Sequence, residues 1–294
     1  MIKKTLILLF LSTLLANCNK DGERTTSCPE NINAETLMHN NEPREYILHV
    51  PSSYDGTVSV PVMLNFHGYG GTASNHMNNA DMRTLADSEN FILVYPQGTC
   101  LDGNPYWNAS LPSADNKSTV DDFGFIEALI DELSMNYNID LERVYACGYS
   151  NGAMLSYGLA CHKGDLIAAI GSVSGTMLDT DCTTSHPTAL INIHGTNDDI
   201  LPYDGNASYN AVEIAINHWT TFNHTDTTPI INTVNDNRTT IEHYAYRNGD
   251  SSVSVEHYKI IGGNHVWFDI NYQGANTNQL IWSFVSKYDV NGLR

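Results

Sequence analysis

Short apolar runs alternate with helix-like segments along this chain of 294 residues, and this alternation sharply limits the folds open to it. Apolar runs of strand length lie at residues 46–50, 60–66, 91–95, 144–147, 167–173, 190–194 and 253–261. Segments with apolar residues at helical spacing lie at residues 121–137, 151–162, 212–222 and 280–288. Buried strands separated by helices are typical of parallel sheets with both faces covered. The pattern therefore predicts an α/β protein with a mostly parallel central sheet and helices on both faces.

The charge balance limits the partners of the chain. It has 33 acidic and 14 basic residues, which gives a formal net charge of −19. Such a surface repels nucleic-acid phosphates and anionic lipid headgroups. Neither nucleic acid nor a lipid surface is therefore an expected partner.

The N-terminus has the organisation of a secretory signal peptide, predicted at residues 1–18. Two lysines precede an apolar run at residues 6–16, which is too short to span a membrane. The run leads into Cys18 in a setting that resembles a bacterial lipoprotein cleavage site, with ordinary secretion as the alternative. We expect an exported protein, on the outer surface, in the periplasm or secreted, attached to a membrane only through lipid on Cys18. A polar tether is predicted at residues 19–42, followed by one domain at residues 43–294.

Five cysteines remain beyond the signal, an odd number, so at least one is expected to be unpaired in an oxidising compartment. Cys147 lies in an apolar run and is the expected buried free thiol. Cys161 with Cys182, and Cys28 with Cys100, are candidate pairs, and the sequence leaves the connectivity open. No Cys-x-x-Cys or His-x-x-x-His spacing occurs, so no metal site is predicted.

The strongest chemical signal is the G-x-S-x-G pentapeptide at residues 148–152, centred on Ser150. A predicted strand precedes it and a predicted helix follows it, which is the setting of a nucleophile elbow. In such a tight turn flanking side chains would collide, which explains a glycine on either side. The helix N-terminus also places positive dipole near developing negative charge. Ser150 is the candidate nucleophile.

A serine hydroxyl needs a base, and the base and its orienting acid are expected after the serine in the chain. His265 follows two glycines after the predicted strand at residues 253–261 and is the candidate base. Asp198 and Asp199 both follow the strand at residues 190–194, and the residues alone do not choose between them. Asp121 and Asp122 precede Ser150 and are expected to cap the helix that begins there.

The glycine-rich segment at residues 67–71 follows an early strand and supplies backbone N–H groups for an oxyanion. We expect the N–H groups of Tyr69 and Asn151 to form the oxyanion hole, with Gly68 and Gly70 as near alternatives to Tyr69. His67 is expected to hold the loop and not to transfer protons.

Jointly these motifs resemble the secreted poly(3-hydroxybutyrate) depolymerase-like esterases of the α/β-hydrolase superfamily. That group includes the feruloyl and acetylxylan esterases of carbohydrate esterase family one. The matching motifs run in order along most of the chain after the signal: His67-Gly68-x-Gly70, Tyr95-Pro96-Gln97-Gly98, Trp107-Asn108, Val120-Asp121-Asp122-Phe123, Gly148-Tyr149-Ser150-Asn151-Gly152-Ala153-Met154, His194-Gly195-Thr196-x-Asp198 and Gly263-Asn264-His265-x-Trp267.

The resemblance implies an α/β-hydrolase fold without a large lid domain, and a catalytic domain at residues 43–294. It selects Asp198 as the triad acid beside Ser150 and His265. It also implies that Tyr69 and Trp267 border the acyl or leaving-group pocket, and Gly68 and Gly70 are expected to lie against the substrate. No cofactor is expected.

The implied reaction is serine-dependent hydrolysis of a carboxylic ester, with feruloyl or acetyl esters on plant or algal polysaccharides as the leading substrates. Short-chain polyester hydrolysis is the main alternative, peptide hydrolysis a weaker one, and an inactive binding lipoprotein the remote one. The family often has Gly-Gly-Gly-His and Trp-Pro-Gly around the histidine, whereas this chain has Gly-Gly-Asn-His and Trp-Phe-Asp. Because that segment borders the substrate, substrate specificity does not follow from the resemblance.

Overall fold

The structure is a computed structural model that describes residues 28–29, 31–111, 116–235 and 239–294. The predicted signal peptide and Cys18 lie outside the described residues. Within the part that is described, no helix is long and apolar enough to cross a membrane.

Fourteen strands and six α-helices make up the described part of the chain. The strands are β1 (Glu35–His39), β2 (Glu42–His49), β3 (Val60–Phe66), β4 (Ile92–Pro96), β5 (Thr99–Leu101), β6 (Asn104–Tyr106), β7 (Ile139–Tyr149), β8 (Ala169–Val173), β9 (Ala189–Gly195), β10 (Ile230–Asn235), β11 (Thr240–Tyr246), β12 (Val255–Ile260), β13 (Tyr288–Asp289) and β14 (Gly292–Leu293). The helices are α1 (Ala73–Asn79), α2 (Arg83–Glu89), α3 (Asp122–Asn136), α4 (Asn151–His162), α5 (Val212–Phe222) and α6 (Thr277–Val285).

Ten of these strands form one sheet in the order β1-β2-β4-β3-β7-β8-β9-β12-β11-β10. The six strands from β4 to β12 in this order are parallel, and the pairs at both edges are antiparallel. The predicted mostly parallel sheet is therefore confirmed for its centre. Because parallel strands end on the same side, the loops after β3, β7, β9 and β12 all meet at one edge of the sheet.

Helices cover both faces of this sheet and bury its alternating side chains. On β3, Val62, Leu64 and Phe66 pack with α3, α4 and α5, whereas Met63 packs on the opposite face with α1, α2 and α6. The two resulting cores explain why the central strands are apolar without interruption. The predicted helices on both faces are confirmed, and no large lid domain lies among the described residues.

The N-terminal boundary differs from the prediction. Residues 19–42 were expected to be a polar tether, but β1 lies inside this range and pairs antiparallel with β2 of the domain. Asn31 is also bonded to the domain, since its side-chain amide donates to Glu45 and Gln97 at 2.8 and 2.7 Å. The edge strand β1 was not predicted from the sequence because its residues are mostly polar and exposed, and an edge strand needs little apolar surface of its own.

Cysteine pairing closes two loops. Cys28 is bonded to Cys100 and Cys161 to Cys182, while Cys147 is a buried free thiol on β7. Both candidate pairs are therefore formed, and the unpaired thiol is the one expected from its apolar setting. Burial raises the pKa of the Cys147 thiol, so it stays protonated and unreactive.

Candidate active site

Ser150 occupies a sharp turn between β7 and α4. Its backbone has φ 54° and ψ −118°, a conformation that non-glycine residues rarely adopt. A Cβ on Gly148 would lie 2.5 Å from the carbonyl carbon of Gly152, and a Cβ on Gly152 would lie 2.4 Å from the carbonyl oxygen of Phe66. Both glycines are therefore required by close backbone approach, as the G-x-S-x-G spacing predicted.

The structure brings Ser150, His265 and Asp198 together in one hydrogen-bonded line. The Nε2 atom of His265 lies 2.9 Å from the Ser150 hydroxyl oxygen, and its Nδ1 atom lies 2.7 Å from Oδ2 of Asp198. A carboxylate can only accept, so Nδ1 carries the proton and Nε2 is free to accept the serine proton. This arrangement can activate a serine hydroxyl as a nucleophile.

The two candidate acids are in different environments. Asp198 is buried after β9, and its Oδ1 accepts hydrogen bonds from the amides of Ile200 and Leu201 at 3.0 and 2.8 Å. Burial alone would raise the pKa of Asp198, but hydrogen bonds from His194, His265 and the Leu201 amide hold that pKa well below its ordinary value. Asp199 is exposed, and Nδ1 of His265 is bonded to Asp198 instead. Only Asp198 is placed to orient the imidazole.

Contacts from three neighbouring segments hold the loop that presents His265. The Tyr149 hydroxyl donates to the His265 carbonyl at 2.9 Å, and the two rings lie 5.1 Å apart. The Ser174 hydroxyl donates to the Val266 carbonyl at 2.9 Å. The Asn197 amide donates to the Gly263 carbonyl, so the acid loop and the histidine loop are joined. The loop position is thus set from β7, β8 and β9 together.

His67 holds the glycine-rich loop after β3. Its Nδ1–H donates to the Gly68 carbonyl at 2.7 Å, and its Nε2 accepts from the Gly98 amide at 2.9 Å. Burial lowers the pKa of His67 to about 4, so the ring is neutral in this tautomer near neutral pH. The Gly71 amide also donates to the Gly68 carbonyl at 3.0 Å. Because this carbonyl is held on one side, the N–H of Tyr69 in the same planar peptide points to the other side.

The two predicted oxyanion donors flank the serine. A Cβ on Gly68 would lie 3.2 Å from the Ser150 Cβ, so the backbone just before Tyr69 lies against the nucleophile. The side chain of Asn151 accepts from the Trp107 amide at 2.7 Å and donates to the Trp107 carbonyl at 3.1 Å. Within the described part of the chain, the backbone N–H groups of Tyr69 and Asn151 donate to no other group.

The predicted helix caps are correct for Asp121 and wrong for Asp122. Asp121 caps α3 by accepting from the Gly124 amide at 2.8 Å. Asp122 is instead buried, where it accepts from Arg44 at 2.6 Å and from the Asn108 amide at 2.7 Å. Burial raises the pKa of Asp122, and Arg44 opposes that rise. The pair ties the segment with Trp107 and Asn108 to α3 behind the active site.

The other predicted substrate contacts lie around this edge. Tyr69 is 53% exposed, and the Lys117 ammonium lies 4.6 Å from the centroid of its ring. Gly70 has φ 74° and donates its N–H to the Pro105 carbonyl. Trp267 is half-buried, donates to Asn278 at 3.1 Å and meets the His76 ring edge-on. Contact of Tyr69, Gly68, Gly70 and Trp267 with substrate stays a prediction.

Sequence reasoning missed His194, Tyr149 and Ser174, whose side chains support the acid and the histidine loop. His194 and Tyr149 lie inside matched motifs, so their position in the motif was the available signal. Ser174 follows β8 and lies outside every motif, and its contact with the Val266 carbonyl follows only from the tertiary structure.

A parallel sheet with helices on both faces, and a Ser-His-Asp constellation on the loops at one edge, define the α/β-hydrolase class. Within that class, residues 57–229 match the model of the phospholipase/carboxylesterase family, and the chain belongs to this family. It is therefore a member of the carboxylic ester hydrolases.

Individual relatives agree with this family. The chain is 29% identical over 247 residues to a bifunctional acetylxylan esterase/xylanase of Neocallimastix patriciarum, covering 83% of this chain and 34% of that protein. It is 26% identical over 205 residues to a probable feruloyl esterase C of Aspergillus niger, covering 67% of this chain and 72% of the relative. An acetyl xylan esterase structure from Aspergillus awamori superposes with a TM-score of 0.60 at 15% identity, covering 79% and 94% of the two chains. That structural likeness supports the fold.

Proposed function

We propose that this chain is an exported serine esterase that hydrolyses feruloyl or acetyl esters on plant or algal polysaccharides. The observation that carries the proposal is the hydrogen-bonded line from Ser150 through His265 to Asp198, with distances of 2.9 and 2.7 Å. This line ends at a serine beside two N–H groups that are free to bind an oxyanion.

Acylation begins when the Ser150 oxygen attacks the ester carbonyl carbon and His265 Nε2 takes the hydroxyl proton. The carbonyl oxygen becomes an oxyanion that the N–H groups of Tyr69 and Asn151 stabilise. Collapse of this intermediate breaks the bond to the alcohol oxygen, which receives the proton from His265. The products of this half-reaction are the free alcohol and an acyl-Ser150 ester.

Deacylation repeats these steps with water. His265 removes a proton from water as the water oxygen attacks the acyl carbon. The bond between the acyl carbon and the Ser150 oxygen then breaks, the serine oxygen receives the proton from His265, and the carboxylic acid is released. Asp198 stays ionised throughout and stabilises the imidazolium form of His265. The reaction needs no cofactor.

The names of the relatives support the substrate class, because they describe esterases of acetylated xylan and of feruloyl esters. Export is supported by the signal-like N-terminus and by two disulfides, which persist in oxidising compartments. If Cys18 carries lipid, the enzyme is held at the cell surface or in the periplasm, where soluble oligosaccharide esters reach it.

The test is a panel of initial rates with purified mature protein and with Ser150→Ala as a matched control. The panel contains methyl ferulate, an acetylated xylo-oligosaccharide, p-nitrophenyl esters of increasing acyl length and soluble hydroxybutyrate oligomers. We expect a preference for ferulate or acetylated sugar, and we expect Ser150→Ala to lower kcat by about 10⁵-fold or more while the protein stays folded.

Each other outcome rejects a part of the proposal. Turnover of hydroxybutyrate oligomers in preference to the sugar esters favours polyester hydrolysis. Activity on p-nitrophenyl acetate alone keeps the serine chemistry and rejects the substrate class. If Ser150→Ala keeps a tenth of the wild-type rate, Ser150 is not the nucleophile. No turnover of any ester favours a binding protein.

A further inference from the structure

His194, the second last residue of β9, lies directly behind the proposed triad acid. Its side chain is 1% exposed, and its Nε2 atom lies 3.2 Å from Oδ2 of Asp198 and 2.9 Å from the carbonyl oxygen of Leu201. Since that carbonyl can only accept, Nε2 carries a proton and donates it to the carbonyl. The same N–H lies beside the oxygen of Asp198 that accepts from His265, and this contact helps to lower the pKa of Asp198.

The backbone of the loop that carries Asp198 also contacts this carboxylate. The Leu201 amide donates to Oδ1 of Asp198 at 2.8 Å, while the Leu201 carbonyl accepts from His194. His194 and Leu201 thus hold both oxygens of the carboxylate from the side away from solvent. Two fixed donors on different oxygens determine the rotation of a carboxylate plane, which one donor alone does not.

The side of the His194 ring that faces away from Asp198 is surrounded by uncharged aromatic rings. Its Nδ1 atom is buried and has no hydrogen-bond partner among the described residues. The Tyr203 ring meets it edge-on at 6.0 Å, and the Tyr203 hydroxyl donates to Nε2 of His257 at 2.7 Å. Burial lowers the pKa of His257 to about 3, so this ring is neutral near neutral pH. The Lys259 ammonium lies over the Tyr203 ring, 5.2 Å from its centroid.

We propose that His194 is a positioning residue for catalysis: its Nε2–H fixes the Asp198 carboxylate so that Oδ2 faces His265. This inference rests on the proposed serine mechanism. In the part of the chain that is described, all polar contacts of the ring are made through Nε2, on the side of the triad, so the ring has a single hydrogen-bond donor whose loss can be tested. His194 itself touches neither substrate nor the reacting atoms.

Removing this donor should change both the pH dependence of kcat/KM and the value of kcat. Oδ2 of Asp198 loses the neighbour that shares its negative charge, so the carboxylate becomes more basic, and it holds the proton on the facing His265 more strongly. The Tyr149 ring faces His265 from β7 and brings no charge near neutral pH. The acid limb of the kcat/KM profile should therefore move to higher pH, and a less well aligned His265 should lower kcat.

The experiment compares His194→Gln with His194→Asn. A glutamine amide nitrogen is as many bonds from the backbone as Nε2 and replaces the donor, whereas an asparagine amide reaches only the position of Nδ1. Rates on p-nitrophenyl acetate are normalised to active sites titrated with an irreversible phosphonate, so that loss of folded protein does not count as loss of kcat. Ser150→Ala is the control for serine-dependent turnover.

We expect His194→Asn to lower kcat by about 10²-fold, with KM changed less than about twofold and the acid limb moved to higher pH. His194→Gln should recover most of kcat and the wild-type profile. The downfield proton resonance of the His265–Asp198 hydrogen bond should shift in the Asn variant and be retained in the Gln variant.

If both variants keep the wild-type kcat per titrated site and have only a lower melting temperature, His194 is a structural residue and the inference is overturned. Full turnover by Ser150→Ala would instead reject the serine mechanism, and the inference with it. A failure of the sugar-ester substrates alone leaves this test unaffected, because it uses p-nitrophenyl acetate.

Discussion

Asp198 and Asp199 are neighbours in one loop, yet the fold gives their carboxylates opposite surroundings. Asp198 is buried, accepts from His265 and from the Ile200 and Leu201 amides, and has Nε2 of His194 3.2 Å from its Oδ2. Asp199 is exposed. A carboxylate that already has all its donors in place stabilises an imidazolium without reorganisation, whereas a solvated one has to give up water first.

Substitution of these two residues should therefore have unequal effects. Asp198→Asn should lower kcat by about 10⁴-fold, because an amide donates to Nδ1 and selects the wrong imidazole tautomer. Asp199→Asn, which makes the same chemical change one residue away, should stay within about threefold of wild type. Steady-state kinetics on p-nitrophenyl acetate measure both, and a severe loss at Asp199 with a mild one at Asp198 would reverse the assignment of the acid.

At the scale of elements, the strand β7, the turn at Ser150 and the helix α4 act as one unit. The turn is held because the Ser150 amide donates to the Val173 carbonyl of β8 and the Ser150 carbonyl accepts from the Met154 amide. The helix begins so close to β3 that Gly152 lies against the Phe66 carbonyl. The strained backbone at Ser150 is thus enforced by packing of the neighbouring elements.

Because Gly152 packs against backbone atoms, we expect its substitution to destabilise the fold. Gly152→Ala should lower the free energy of unfolding by at least about 3 kcal/mol or prevent folding, because the new Cβ meets backbone atoms that cannot move independently. Gly274→Ala is the matched control, since Gly274 has φ 90° but nothing within 4 Å of an added Cβ. It should cost about 1–2 kcal/mol from backbone conformation alone. Urea denaturation compares the two, and equal losses would contradict the steric explanation.

For the whole molecule, several histidines are buried in the neutral form. Burial lowers the pKa of His67 to about 4, and of His76 and His257 to about 3. In the unfolded chain each of these rings has a pKa near 6.5, so the unfolded state binds more protons than the native state below that pH. Stability is therefore fully present above about pH 6.5 and is lost as the pH falls toward the native pKa values.

We expect the free energy of unfolding to decrease on acidification from pH 7.5 to 5, before most carboxylates titrate. Each buried histidine contributes a slope of up to about 1.4 kcal/mol per pH unit, so the three together approach about 4 kcal/mol per pH unit. Urea denaturation at half-unit pH intervals measures this slope. His76→Gln, which keeps a donor for Asn65, should reduce the slope by about a third. A stability that is flat between pH 7.5 and 5.5 would contradict the prediction.

The sequence by itself determined the parallel centre of the sheet, because central strands are buried on both faces and read as unbroken apolar runs. It also determined the place of Ser150, since only a turn with backbone contacts on both sides requires glycine at both flanking positions. The bounds of α4 and α5 follow from helical spacing and agree with the observed Asn151–His162 and Val212–Phe222.

The tertiary structure decided the features that depend on distant partners. The hairpin of β10 and β11 and the edge strand β1 were not predicted. β1 and β10 are edge strands with largely exposed side chains. On β11 the buried side chains are Ile241, His243 and Ala245, which do not form an apolar run. The choice of Asp198 over Asp199 was open from the residues alone, since both follow β9 and only the packed loop shows which one faces His265. The contact of His194 with Asp198 was likewise not predictable from the sequence pattern. The partners of a buried polar residue on a strand depend on how the following loop folds over it.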